Sequence, residues 1–346
     1  MERGFLAAIL FVAAAANGGE PPLPAFPGAE GYGAASVGGR GGKVIKVTNL
    51  NASGPGSLQA ACEAEGPRIV VFEVGGVIRG TVYIKAANIT IAGQTAPPPG
   101  ITIEGMLKNP YRIKPSLHDV TIRFIRVRPR PTRRKTATAD CFQLTDIDRL
   151  ILDHCSCSWG SDENVDLCNS RDLTVQWCAI EESDTRGHVK GRHNFAMIMG
   201  YDGRNATVHH NLFAHHSKRA PLCGLETLDH RNNVIYNMLL PFLWHPVRMN
   251  RQRPNQPFKA NLVGNYLKLG PNTEGRSSIT TLDRLMWKPP WVHLYAQGNY
   301  LAWRRLMVET RGLEPPTSRV RFCGRCPYGV GVPYLAAPAG SAVTQL

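Results

Sequence analysis

Short apolar and β-branched runs recur along the chain, separated by turn-forming residues rather than by long amphipathic stretches. They are RIVVFEV (68–74), NITIAG (88–93), DVTIRFIRVRP (119–129), RLILDHCS (149–156), DLTVQWCAI (172–180), NATVHHNLF (205–213), NNVIYNMLL (232–240), ANLVGNYL (260–267) and VHLYAQGNYL (292–301). Aligned on Ile91, Ile122, Leu152, Val175, Val208, Val234, Leu262 and Ala296, they are spaced by 31, 30, 23, 33, 26, 28 and 34 residues. A repeat of about 20–50 residues built from strands and turns predicts a solenoid. A β-sandwich would need tighter spacing and hairpin turns, and βαβ units would need helical runs of about 10–15 residues between strands. The pattern therefore predicts an all-β chain wound as a coiled solenoid of parallel strands, a parallel β-helix.

A second regularity follows from that alignment. Three residues beyond the last six anchors stand Cys155, Cys178, Asn211, Asn237, Asn265 and Asn299. Equivalent residues on neighbouring coils lie about 4.8 Å apart, close enough for side-chain amides to bond up a column. Cys155 and Cys178 would be neighbours in that column, as a bridge or as buried thiols. Ahead of the repeats, residues 21–42 are rich in Gly and Pro, and the GGRGG run lacks the Gly-Lys-Ser/Thr ending of a phosphate loop. They read as tight turns into a first strand, KVIKVTNL. Residues 54–66 then read as a short capping helix with Ser57 as N-cap.

The chain ends change this picture. Residues 1–16 carry Arg3 and then an apolar run ending in small residues, the pattern of a secretory signal. Residues 17–303 are expected to form the β-helix. Residues 304–346 hold no strand anchor and many Pro, Gly and Arg, and are expected to lie outside the fold as a disordered or non-native tail; the Cys323–Cys326 pair there is half a zinc site with no second half. Nine cysteines in 346 residues are too few for a dense disulfide framework, so the fold must stand on its core.

A net charge of +14 suits a polyanionic partner, and no recognition helix or aromatic RNA-binding signature accompanies it. An acidic polysaccharide is therefore favoured over nucleic acid. No membrane span is expected, and a monomer is. Candidate chemistry concentrates in residues 140–221. Asp162 and Asp166 sit in SWGSDENVDL, and Asp140 lies about one coil earlier, so the three carboxylates can converge on one cation. Ca²⁺ takes six to eight oxygens in flexible geometry, which suits an open carboxylate site. His154, His188 and His193 are nearby, but none has the i, i+4 spacing beside a Glu of a zinc peptidase. His188, Lys190 and Arg219 follow one and two coils later and can face the same side.

Over about residues 26–300 the chain resembles the extracellular pectate lyases of the right-handed parallel β-helix superfamily, in polysaccharide lyase family 1. The resemblance rests on GGRGG, VTNLNASGPGSLQAA, GPRIVVFEVGGVI, NITIAGQTAPPPGITI, LDHCSCSWGSDENVD and HHNLFAHHSKRAP. It implies that Asp140, Asp162 and Asp166 hold Ca²⁺, that Lys190 grips a uronate carboxylate with His188 beside it, and that Arg219 is the base of a β-elimination on polygalacturonate. The family often carries a further Arg shortly after Arg-x-Pro, where this chain has Leu222, Cys223 and Gly224. Other readings of the same residues are a pectin lyase, a hydrolase using Asp162 and Asp166 as acid and base, and a non-catalytic polysaccharide-binding β-helix.

Overall fold

A computed structural model of the protein describes residues 23–131, 138–239, 245–246, 258–273 and 292–302. The expected signal segment and the tail beyond 303, with its cysteine pair, lie outside the described residues. Each coil places one strand in each of three parallel sheets, which hold ten, nine and seven strands among the described residues. Coils succeed one another in register: Leu117–Arg123 pairs with Ile147–Asp153, and that strand with Arg171–Gln176. This is a parallel β-helix, as the spacing predicts. No helix among the described residues is long and apolar enough to cross a membrane.

The core is a set of columns running along the helix axis. On the first sheet one column is Ile91, Ile122, Leu152, Val175, Val208, His230 and Leu262, all buried. On the second sheet Ile78, Ile103, Val127, Cys157, Ile180, Phe213, Ile235 and Leu267 stack likewise. Such stacking buries each apolar side chain between the equivalent residues of two neighbouring coils, so every coil needs its neighbours.

His230 explains a displaced register. The apolar alignment selects Val234 as the anchor of its coil, but the residue beside Val208 is His230, and Val234 belongs to the second sheet. The true first-sheet strand, Thr227–Arg231, is too polar to resemble its neighbours. Burial depresses the His230 imidazole to about 3, so it sits in the core as a neutral ring. The asparagine column moves with the anchor: Asn233, not Asn237, is its member. Asn211, Asn233, Asn265 and Asn299 form a continuous ladder in which each Oδ1 accepts from the backbone N–H of the preceding member at 3.0 Å. The Asn211 Oδ1 extends it by accepting from Cys178 N at 2.8 Å. Asn237 instead bonds the His215 ring and accepts from Asn272 N. The ladder stands just after a corner at which one residue per coil is left-handed: Phe124, His154, Trp177, His210 and Asn232, then Gly264 and Gly298. Cys155 and Cys178 do not bridge; all seven described cysteines are free and buried.

The capping helix is Leu58–Glu63, with Ser57 Oγ accepting from Ala60 N as expected of an N-cap. Arg68 is fully buried beneath it and donates to the carbonyls of Ala61, Cys62, Gly66, Ala86 and Ala87. It thereby satisfies carbonyls that the helix terminus leaves open. The Gly/Pro-rich lead is more than a set of turns. It crosses the outer face of the first sheet as a strap: Glu30 N donates to Gln176, Gly33 N to Thr174, Val37 N to Asp119 and Gly39 N to Thr90. A Cβ on Gly33 would lie 2.3 Å from Leu150 O, so only glycine admits this approach.

Candidate active site

The third sheet carries the site. Its strands Phe142–Gln143, Glu163–Asp166, Phe195–Met199 and Leu222–Cys223 pair in succession. Their alternate residues Phe142, Val165 and Met197 fill the core and fix which way the others face. Asp140 stands just ahead of the first of these strands and Asp162 just ahead of the second. Glu163 N donates to Asp140 Oδ1 at 2.9 Å, locking the two coils together at the carboxylates. Ligand oxygens of Asp140, Asp162 and Glu163 all lie within 4.8 Å of one another.

Asp166 flanks this trio rather than joining it. Its Oδ1 accepts from Cys168 N at 2.9 Å, yet it remains close enough to act on Asp140 electrostatically. Burial, then Asp166 and Asp162, push the Asp140 carboxyl well above the usual carboxylate range. Burial also raises Asp166. Packed acids that repel one another's charge form a site that a cation would complete. The donors are hard oxygens, and a carboxylate atom of the set, Asp162 Oδ1, is buried without an aligned hydrogen bond. These residues fit Ca²⁺.

A second group, Asp162, His188 and His193, also has its ligand atoms within 4.8 Å. His193 Nε2 lies 2.9 Å from Asp162 Oδ1 and His188 Nε2 lies 3.5 Å from Asp162 Oδ2. The His188 tautomer argues against a metal there. Lys190 N donates to His188 Nδ1 at 3.1 Å, so the neutral ring carries its proton on Nε2 and points it at Asp162. His188 is 1% exposed and stacks on His193 with centroids 4.1 Å apart. Expected among the substrate contacts, it faces the Lys190 backbone and Asp162. Lys190 itself is exposed on the turn closed by Gly191 N to His188 O, and among the described residues its ammonium pairs with no carboxylate.

Arg219 arrives from the coil beyond Phe195. Met197 N donates to Arg219 O, and the guanidinium lies over the Phe195 ring at 3.8 Å, where it forms an ion pair with Glu163. Its side chain is 17% exposed, and burial lowers it to about 10, with Asp162 and Asp140 opposing the shift. The structure thus brings Asp140, Asp162, Asp166 and Arg219 to one face, with Lys190 on the turn alongside. Glu163 and Phe195 were not legible as members, and His193 stood out only as a histidine near the carboxylates. Alternation from inward-facing Val165 would turn Glu163 inward as well, so only its place in DENVD could have drawn notice.

No protein-family model matches the chain. Proteins named probable pectate lyase C are similar in sequence: that of Aspergillus fumigatus is 36% identical over 283 residues, covering 80% of this chain and 60% of the relative. That of Neosartorya fischeri is 36% identical over 267 residues, covering 76% and 57%. The chain is a homologue of pectate lyases. It spans about 60% of the length of these pectate lyase relatives. The fold is also that of solved structures. Jun a 1, the major allergen from cedar pollen, superposes with a TM-score of 0.56 at 15% identity over 78% of this chain and 80% of its own. The pectate lyase Bsp165PelA from Bacillus sp. N165, solved in complex with trigalacturonate, gives 0.52 at 15% identity over 84% and 92%.

Proposed function

We propose that the chain is a secreted pectate lyase that cleaves α-1,4-polygalacturonate by Ca²⁺-dependent β-elimination, leaving a 4,5-unsaturated non-reducing end. The observation that carries this reading is the delivery of the Arg219 guanidinium, across Phe195, to the carboxylate group of Asp140, Asp162 and Glu163. The homologues' name and the trigalacturonate bound to the Bacillus enzyme support the substrate class.

Asp140, Asp162 and Asp166 would hold the ion, which when bound neutralises the uronate carboxylate and so acidifies the neighbouring C5–H. Lys190, exposed and without a described carboxylate partner, receives a second carboxylate of the chain. His188 serves this work indirectly, bracing the Lys190 turn and Asp162. Arg219 in its neutral form takes the C5 proton. The C5–H electron pair becomes the C4–C5 double bond, the C4–O bond breaks, and the leaving oxygen takes a proton from water.

A guanidine base is uncommon because Arg ordinarily holds its proton. Burial at the Phe195 face is what makes Arg219 a better candidate: a group lowered to about 10 is neutral far more often at mildly alkaline pH than one left at 12.5. The test is incubation with polygalacturonate with and without Ca²⁺, following ultraviolet absorbance of the unsaturated product. Calcium-dependent absorbance is expected. Chain scission without it would instead indicate hydrolysis, and no turnover with retained binding would indicate a non-catalytic protein.

A further inference from the structure

Glu163 is asked to be in two places. Its carboxylate lies with Asp140 and Asp162 in a group whose ligand atoms fall within 4.8 Å, and it also forms the ion pair with Arg219. It is 5% exposed, so it has little water to compensate for a lost partner. Among the described residues, Arg219 is the one cation in ion-pair contact with this carboxylate trio other than the two histidines at Asp162. It fills, in part, the electrostatic place of a divalent ion. A guanidinium so engaged is turned toward protein and not toward a sugar ring.

We propose that Glu163 is a two-position residue. In the metal-free site it holds Arg219; when the site is loaded it turns to the cation beside Asp140 and Asp162, leaving the Arg219 guanidinium unpaired over Phe195 and open to substrate. The inference rests on the reading of Asp140 and Asp162 as cation ligands. Three features make the exchange physically economical. Glu163 N is anchored on Asp140, so its backbone need not move when its side chain does. Arg219 keeps the Phe195 ring as a partner in either state. A buried carboxylate that gives up one counter-charge must gain another, and the only new one the exchange supplies is the bound ion. Glu163 is therefore a positioning residue for Arg219, and Ca²⁺ dependence has a second origin besides the bridging of substrate.

The test compares wild-type protein with Glu163→Ala and Glu163→Gln, using Ca²⁺ titration by calorimetry and labelling of Arg219 by phenylglyoxal, mapped by mass spectrometry without substrate. In the wild type, saturating Ca²⁺ is expected to speed Arg219 labelling about fivefold or more. Without Glu163, labelling should be fast and indifferent to Ca²⁺, and the Ca²⁺ dissociation constant should rise about tenfold. Wild-type protein that binds Ca²⁺ while Arg219 labelling stays constant or slows would overturn the exchange and leave the metal site standing. Unchanged Ca²⁺ affinity and labelling in both variants would reduce the pair to a structural contact and also overturn it. If wild type binds no Ca²⁺ by calorimetry, the metal site itself fails and the exchange with it. The wild-type comparison needs no variant, so a misfolded substitution does not remove the test.

Discussion

Arg219 shows how burial can move one residue away from the behaviour its type predicts. Left in water it would be a permanent cation. Burial against Phe195 lowers it to about 10, while Asp162 and Asp140 hold it up. The sign of the pH dependence follows: the neutral, base-competent form grows as pH rises toward about 10, so kcat/KM should climb roughly tenfold per pH unit through mildly alkaline pH and level off near that value. A rate maximum near neutrality with no alkaline limb would count against Arg219 as base. Arg219→Ala should lower kcat by about 100- to 10,000-fold, the usual worth of a positioned base. Lys190→Ala should act differently. Removing an exposed side chain that would bind substrate in ground and transition states alike raises KM, here about tenfold, while kcat changes little. Steady-state kinetics on polygalacturonate separates the two.

Elements supply what residues cannot. The asparagine ladder holds the corner of four successive coils, and its member Asn233 accepts from both the backbone and the side chain of Asn211 while donating to Val208 O and Asn265. Asn233→Ala would leave buried partners unsatisfied and should cost about 2–4 kcal/mol by urea denaturation, against less than about 0.5 kcal/mol for Lys259→Ala at an exposed strand position. Equal losses at the two positions would mean that the ladder contributes no more than a surface contact. The strap is a similar device on the other face. Gly33→Ala should lift it from Leu150 and Thr174, and hydrogen exchange at the Gly33 and Val37 amides should accelerate while the first-sheet strands stay protected.

The whole molecule is a stack whose repeats translate distant residues into neighbours. Residues 140, 163 and 219 meet because the coils between them keep register, and the core columns enforce that register. Chelation with EGTA should abolish cleavage of polygalacturonate, and added Ca²⁺ should restore it, read as unsaturated product. A chain with its carboxylates methyl-esterified offers Lys190 and the bound ion no charge to grip, so its cleavage should be slower at equal concentration. Comparable rates on both substrates would favour the pectin lyase reading.

Much of this was legible in the sequence. Strand runs at repeating intervals pointed to the β-helix and Ser57 to the helix cap, and Asp140, Asp162, Asp166, Lys190 and Arg219 stood out as candidates within one stretch of the chain. The misses share a cause: each lies where function or polarity replaces the apolar period. His230 occupies a core column without being aliphatic, so alignment on apolar residues slid to Val234 and carried Asn237 into the ladder in place of Asn233. The third-sheet strands Phe142–Gln143 and Leu222–Cys223 are two residues long and Glu163–Asp166 is mostly polar, so the apolar period does not register them. Periodicity along a chain is a one-dimensional signal, sufficient for which residues turn inward within a coil. Which residue of one coil touches which of the next is set by hydrogen-bond register and side-chain packing. That is why the Asp140–Glu163 lock, the hold of Glu163 on Arg219 and the strap across the first sheet emerge only when the coils are stacked.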